Sequence, residues 1–196
     1  MSHGAGNGVA AKRTRMTREA RRSLILSAAA AMFQKHGYAA ASIDAIALAS
    51  GVSGPAIYRY FARKSELLVA LLETAAAEAV EAMETAVDGT ARGDTVASMA
   101  AVMVDRAVRE GAVIGLLQAT VMDMDDADRA RLGAVRTSLV GRLAILLCKV
   151  RPDLAPDQAR IHIEAALAIV GQLARRAPDS AEPERIGPIL RAVLAA

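Results

Sequence analysis

An all-α chain is what this sequence predicts, and two observations carry the prediction. Apolar residues recur at helical spacing over long stretches, and no run alternates as a half-buried strand does. Over half of the 196 residues are apolar while only 3% are aromatic, so the core must be built from Ala, Leu, Val and Met. Ala and Leu are strong helix formers, and small side chains suit closely packed helices. The length is enough for a small module fused to a larger helical domain, with no metal or disulfide staple required.

Taken in order, residues 1–16 are Gly-rich and basic without a periodicity that could bury a face, and read as a flexible arm. Thr17 caps a helix with Glu19 in its first turn; Leu24/Ile25, Ala28/Ala29 and Met32/Phe33 then recur every four residues until Gly37 ends the pattern. Ser42 caps a second, short helix to about Ala49, with Asp44 near its positive end. Ser50-Gly51-Val52 breaks it. Ser53 caps a third helix to about Phe61, with Pro55 in the first turn, where a missing amide costs nothing. Longer helices are predicted over 65–87, 94–110, 111–124, 126–149 and 156–176. A terminal helix ends at Leu194 and is interrupted by Gly187-Pro188, which sets its start as late as Pro188.

Charge narrows the function. Lys and Arg exceed Asp and Glu by only 24 to 21, a surplus that identifies no partner, but Lys12, Arg13, Arg15, Arg18, Arg21 and Arg22 crowd the N-terminal end against one acid, Glu19. An anionic partner belongs there. Arg13 and Arg15 can form a minor-groove arm or an ordinary solvated tail. The single Cys148 has no mate and suits a reducing compartment, and no secretory h-region or membrane-length apolar run is present, so a soluble cytoplasmic protein without membrane contact is expected.

Two short helices joined by a glycine-containing turn and braced by a longer one can present the second helix to a DNA major groove. An eight-residue helix is about 12 Å long, comparable to that groove's width. If Val52, Ile57 and Phe61 point inward, Ser53, Gly54, Ala56 and Arg59 face solvent with Tyr58 and Tyr60 at the flanks. Tyrosine hydroxyls and Lys64 can hold phosphate oxygens, and Arg59 can pair with guanine. Tyr58 and Tyr60 can equally be core aromatics, and Arg59 a solvated charge.

Here the sequence resembles the TetR family of bacterial regulators. The resemblance rests on Ala28-Ala29-Ala30-Ala31-Met32-Phe33, Gly37-Tyr38, Ser42-Ile43-Asp44-Ala45-Ile46-Ala47, Gly51-Val52-Ser53, Ile57-Tyr58-Arg59-Tyr60-Phe61 and Lys64-Ser65-Glu66-Leu67-Leu68, and it covers about Thr17 to Leu72. It implies a homodimer with a three-helix DNA-binding domain at 17–64 and an effector-binding and dimerisation domain at 65–196. It also places Ser42, Ser53, Pro55, Ala56, Tyr58, Tyr60 and Lys64 where the family touches DNA. Gly54 departs from the polar residue some members carry.

The resemblance implies an effector pocket in the C-terminal domain, for which Met83, Met99, Met103, Leu116 and Met122 are candidate linings; the same methionines could fill an irregular core. Similarity at 126–132 and 150–154 to family members that regulate lipid and acyl-CoA catabolism makes an acyl-CoA-like or other lipophilic effector an expectation. The helix at 156–176 is apolar over more than one face, so Ile161, Ala165, Ile169 and Leu173 are expected to pair with a two-fold copy or to be buried within one subunit. Asp123, Asp125, Asp126 and Asp128 lack the glycine and distal glutamate of a calcium loop and read as a solvated turn whose last acids favour the following helix N-terminus. No metal-ligand spacing, phosphate loop, nucleophile motif or acid/base pair appears, so neither a cofactor nor catalysis is expected. The reading is a repressor released from a palindromic operator by its effector. Its rivals are an effector-independent or architectural DNA-binding factor, and a helical enzyme or partner-binding module.

Overall fold

A computed structural model describes residues 16–89, 94–120, 124–174 and 182–196, omitting the side chains of 110–120, 173, 174, 182 and 183. Arg13, Arg15 and Met122 lie outside the described residues, as do the side chains of Leu116 and Leu173. Eight helices are described: α1 Arg18–Ala40, α2 Ile43–Ser50, α3 Gly54–Ile57, α4 Lys64–Gly89, α5 Thr95–Thr120, α6 Asp126–Val150, α7 Pro156–Ala174 and α8 Glu182–Ala195. No strand occurs among the described residues.

Local chemistry sets the N-terminal boundaries. The Thr17 hydroxyl accepts from Ala20 N–H at 3.1 Å and opens α1, while Gly37, at φ 78°, breaks its helical path before the last turn. The Ser42 hydroxyl accepts from Ala45 N–H at 3.1 Å and opens α2. Gly51, left-handed at φ 66°, closes α2: Val52 N–H bonds Ala47 O at 3.1 Å and Gly51 N–H bonds Leu48 O at 3.3 Å, the paired bonds of a Schellman motif.

Two cores result. The first joins Ile25, Ala29 and Phe33 of α1 to Ile46, Ile57, Phe61, Leu67 and Leu68, and also takes in Met124. The second holds Val80, Met83, Met99, Met103, Leu147, Ile163, Leu190 and Leu194. The helix α4 contributes to both, and its 26 residues span about 39 Å at 1.5 Å each. It runs parallel to α6, for Arg131 meets Glu73 at 2.8 Å and Arg142 meets Glu84 at 3.1 Å, a constant offset along both helices.

Three predicted boundaries are corrected. The helices expected at 94–110 and 111–124 are one helix, α5, since a lone interior glycine such as Gly111 costs only about 1 kcal/mol. The terminal helix runs through Pro188, its apolar face anchored by the fully buried Leu190 and Leu194. The third helix is shorter than expected. Regular α geometry stops at Ile57, and Tyr58–Tyr60 continue as a tightened turn in which Arg59 N–H bonds Ala56 O at 3.3 Å and Tyr60 N–H bonds Ile57 O at 2.8 Å.

Candidate nucleic-acid interface

The fully buried Ile57 and the nearly buried Phe61 pin α3 and its following turn to the first core. Ser53, Pro55, Tyr58 and Arg59 consequently lie exposed, and Ala56 is half-buried. Tyr58 is 55% exposed, a large fraction for an aromatic ring, so its core reading does not hold. Ser42 is exposed with its hydroxyl already engaged as a cap. Ser53 differs: it precedes α3 without a side-chain capping bond, which leaves its hydroxyl to other acceptors and donors.

Behind this surface, α1 braces the turn through its arginines. The Arg18 guanidinium lies 5.9 Å from the centroid of the Tyr60 ring, and that of Arg22 lies 5.4 Å from the Phe61 ring. Tyr60 is half-buried under this cover and is less open than Tyr58. The basic run marked Arg18 and Arg22 as cations, but their stacking partners, some 40 positions on, left no signal in the sequence.

Lys64 departs from its expected role. Its ammonium donates to Tyr38 O at 2.7 Å, Ala39 O at 3.2 Å and Ala41 O at 3.1 Å and lies 4.4 Å from the Tyr38 ring centroid, engaging all three donors. It holds the carbonyl-rich end of α1 to the start of α4, and its burial pushes its pKa below the ordinary 10.5. This is a brace rather than a free phosphate donor. Gly54 also gains a physical reason. A Cβ there would stand 3.1 Å from Asp44 Oδ1, so the absent side chain lets α3 approach α2 closely.

A second contact, unmarked in the sequence, joins this unit to α6. Arg63 pairs with Asp125, lies 3.5 Å from Asp128 Oδ1 and 3.6 Å from Glu66 Oε1. Asp125 caps α6 by accepting from Asp128 N–H at 2.8 Å, and Glu66 accepts from Ala62 N–H at 2.8 Å. Asp128 is 1% exposed, and its Oδ2 has no hydrogen-bond partner. The last acids do sit at the N-terminus of α6, as expected, with Asp125 as its cap and Asp126 and Asp128 in its first turn, but Asp128 is buried rather than solvated; Asp123 lies outside the described residues, and no acidic or histidine cluster with metal-holding geometry occurs among those described.

Farther down, α4, α5, α6 and α7 line a half-open cavity of about 240 Å³. Met83 and Met103 line it. Met99 does not; it is fully buried in the second core, the packing role weighed for it above. Leu72 and Leu132 face the cavity and also pack with the first core. Of the candidate pairing residues, Ile161 is 65% exposed and Ala165 exposed, while Ile169 is half-buried against the second core.

Residues 25–71 match the family model described as bacterial regulatory proteins, tetR family. Over that stretch the chain is similar to the TetR family. A stretch of 59 residues is 44% identical to the HTH-type transcriptional activator FasR of Mycolicibacterium smegmatis; it is 30% of this chain and 27% of that protein, so the match spans about a quarter of the relative's length. The TetR fold extends further. The fatty acid degradation regulator FadR from Bacillus halodurans superposes with a TM-score of 0.71 at 16% identity, covering 90% of this chain and 95% of that one. The regulator PfmR from Thermus thermophilus superposes with a TM-score of 0.65 at 20% identity, covering 88% and 97%. Proteins of the TetR family are transcriptional regulators rather than enzymes, and no helix among the described residues is long and apolar enough to cross a membrane.

Proposed function

We propose that this protein is a cytoplasmic TetR-family repressor that binds a palindromic operator as a homodimer and is released by a small lipophilic effector. The observation that carries the reading is the exposed set Ser53, Pro55, Tyr58 and Arg59 on a turn whose other side is fixed by Ile57 and Phe61. Arg59 supplies a guanidinium for a guanine edge, and the Ser53 and Tyr58 hydroxyls reach phosphate oxygens. Ser42, Pro55, Ala56 and Tyr60 shape the surface around them. Lys64 acts through its hold on α1.

The dimer forms through the outer faces of α7 and α8, where Ile161 and Ile189 are 65% and 52% exposed and lie among the exposed Ala165, Ala168, Pro188 and Ala192. A two-fold axis there sets two α3 surfaces about 34–36 Å apart, one turn of DNA. Coupling runs through α4 and α6: a ligand in the cavity touches Leu72 and Leu132, whose packing reaches the DNA-binding core, and Arg63 ties that core to the start of α6. An effector moves this equilibrium only by binding one arrangement more tightly than the other.

The likeness in fold to FadR, a fatty acid degradation regulator, favours an acyl chain in the effector, with an acyl-CoA as one candidate. Hydroxyl-radical footprinting on bound genomic fragments tests the core of the proposal. Two protected patches one helical turn apart, lost when an acyl effector is added, are expected. A continuous or sequence-independent footprint would sink it, and protection that grows with effector would reverse the sign of regulation.

A further inference from the structure

Among the described residues, the cavity between α4, α5, α6 and α7 is apolar except for two side chains at its wall, Arg106 and Arg136. Two arginines of α6 pair with α4 in a fixed register, Arg131 with Glu73 and Arg142 with Glu84, each 58 positions earlier. Eleven residues are close to three turns, so these two share one face of α6, whereas Arg136, five residues from Arg131, projects about 140° round the helix from it and lines the cavity. The other cation of the wall, Arg106, is engaged by Glu78, donating to its Oε2 at 3.1 Å and to its backbone carbonyl at 3.2 Å. Arg136, exposed on α6, has no ion pair or hydrogen bond among the described residues. The wall of an apolar cavity thus carries one positive charge that no described acid answers.

The cavity has room for an alkyl chain. About 240 Å³ equals roughly eight liquid-water volumes of ~30 Å³ each, and an alkyl chain occupies a similar volume per heavy atom. Ala75, Ala76 and Ala79 leave room for the chain, and Leu139, Leu143 and Val170 wall it. A guanidinium binds a carboxylate through two parallel hydrogen bonds, a geometry a hydroxyl or ester head cannot match.

We infer that the cavity takes a medium-length aliphatic carboxylate, its chain among the alanines of α4 and its anionic head on Arg136. The inference rests on the effector reading above and names the chemistry of that site. The head group is the carboxylate itself, so a thioester that masks it loses this contact.

Calorimetric titration of the full chain with octanoate, 1-octanol and octanoyl-CoA tests it, using wild type, Arg136→Gln, and Ala79→Phe to fill the cavity. Octanoate should bind wild type at least about tenfold more tightly than octanol, lose about tenfold in Arg136→Gln while octanol stays within about twofold, and fail to bind Ala79→Phe. Equal binding of octanoate and octanol, unchanged in Arg136→Gln, would leave the effector reading standing and overturn the carboxylate assignment. Octanoyl-CoA that binds more tightly than octanoate and remains sensitive to Arg136→Gln would put a phosphate on that arginine and overturn it too. Binding by none of the three, or octanoate binding kept in Ala79→Phe, would remove the cavity as the ligand site altogether.

Discussion

At the scale of single residues, the account separates side chains that face DNA from those that hold them there. Arg59 is exposed and fixes nothing in the core, so Arg59→Ala should weaken specific operator binding by about 1–3 kcal/mol while leaving the melting temperature unchanged. Fluorescence anisotropy and thermal melts on the same preparation read the two effects. Lys64→Met should do the reverse. Loss of a charged donor from three carbonyls should cost about 1–3 kcal/mol of stability, with DNA affinity falling only as far as α1 loosens. The roles of this lysine and this arginine were not separable in the sequence, because both are cations beside the same short helix. What distinguishes them is where α1 ends: its last carbonyls lie within reach of residue 64, a contact 23 to 26 positions apart along the chain.

At the scale of elements, the α4–α6 seam is the part that should transmit. Arg63→Met would leave Asp128 buried without its cation, and a half-exposed arginine of this kind should contribute about 1–3 kcal/mol. For a chain of this length that lowers the melting temperature by several degrees. Effector-dependent release from DNA should weaken in the same variant, as measured by anisotropy with and without ligand. The far end of α6 offers a pH readout. Arg151 holds the Asp153 carboxyl below its ordinary 3.8 by a hydrogen bond, and the same guanidinium donates to Leu194 O at 3.3 Å in the last turn of α8. A lowered carboxyl pKa favours the folded state above the ordinary value, and that contribution is lost as pH falls through the lowered one. Asp153→Asn should therefore flatten the acid side of the melting-temperature curve below about pH 4.

Helix existence was legible because each element announced its period and its ends: Thr17 and Ser42 cap as expected, and Gly37 and Gly51 take the positive φ their positions called for. Two of the three misplaced boundaries rest on local breakers, Gly111 and Pro188, which α5 and α8 run through because one such residue costs less than a long helix gains. The cavity was only partly legible. Met83 and Met103 line it and Met99 does not, since a methionine on an amphipathic helix looks the same whether it faces a cavity or a core. That Arg136 lines this cavity without a described acid beside it is a property of the packed helices rather than of the α6 sequence.

At the scale of the whole molecule, the exposed isoleucines of α7 and α8 are the feature a solitary subunit explains least. Ile161→Asp combined with Ile189→Asp should yield a monomer by sedimentation velocity, with its melting temperature lowered and its operator affinity falling by orders of magnitude, because each half-site alone buries too few contacts. A variant that stays dimeric would move the interface elsewhere. The sign of regulation also belongs to this scale, since it depends on which spacing of the two α3 surfaces the ligand favours.

The central claim, that the α3 surface reads operator sequence, is tested most directly by selecting bound duplexes from a random pool at about 0.15 M salt, where nonspecific phosphate binding is weakened. The account predicts an enriched inverted repeat with half-site centres about one helical turn apart, recovered by wild type and lost by Tyr58→Ala combined with Arg59→Ala. Failure of any sequence to enrich, or the same repeat recovered by that variant, would contradict it.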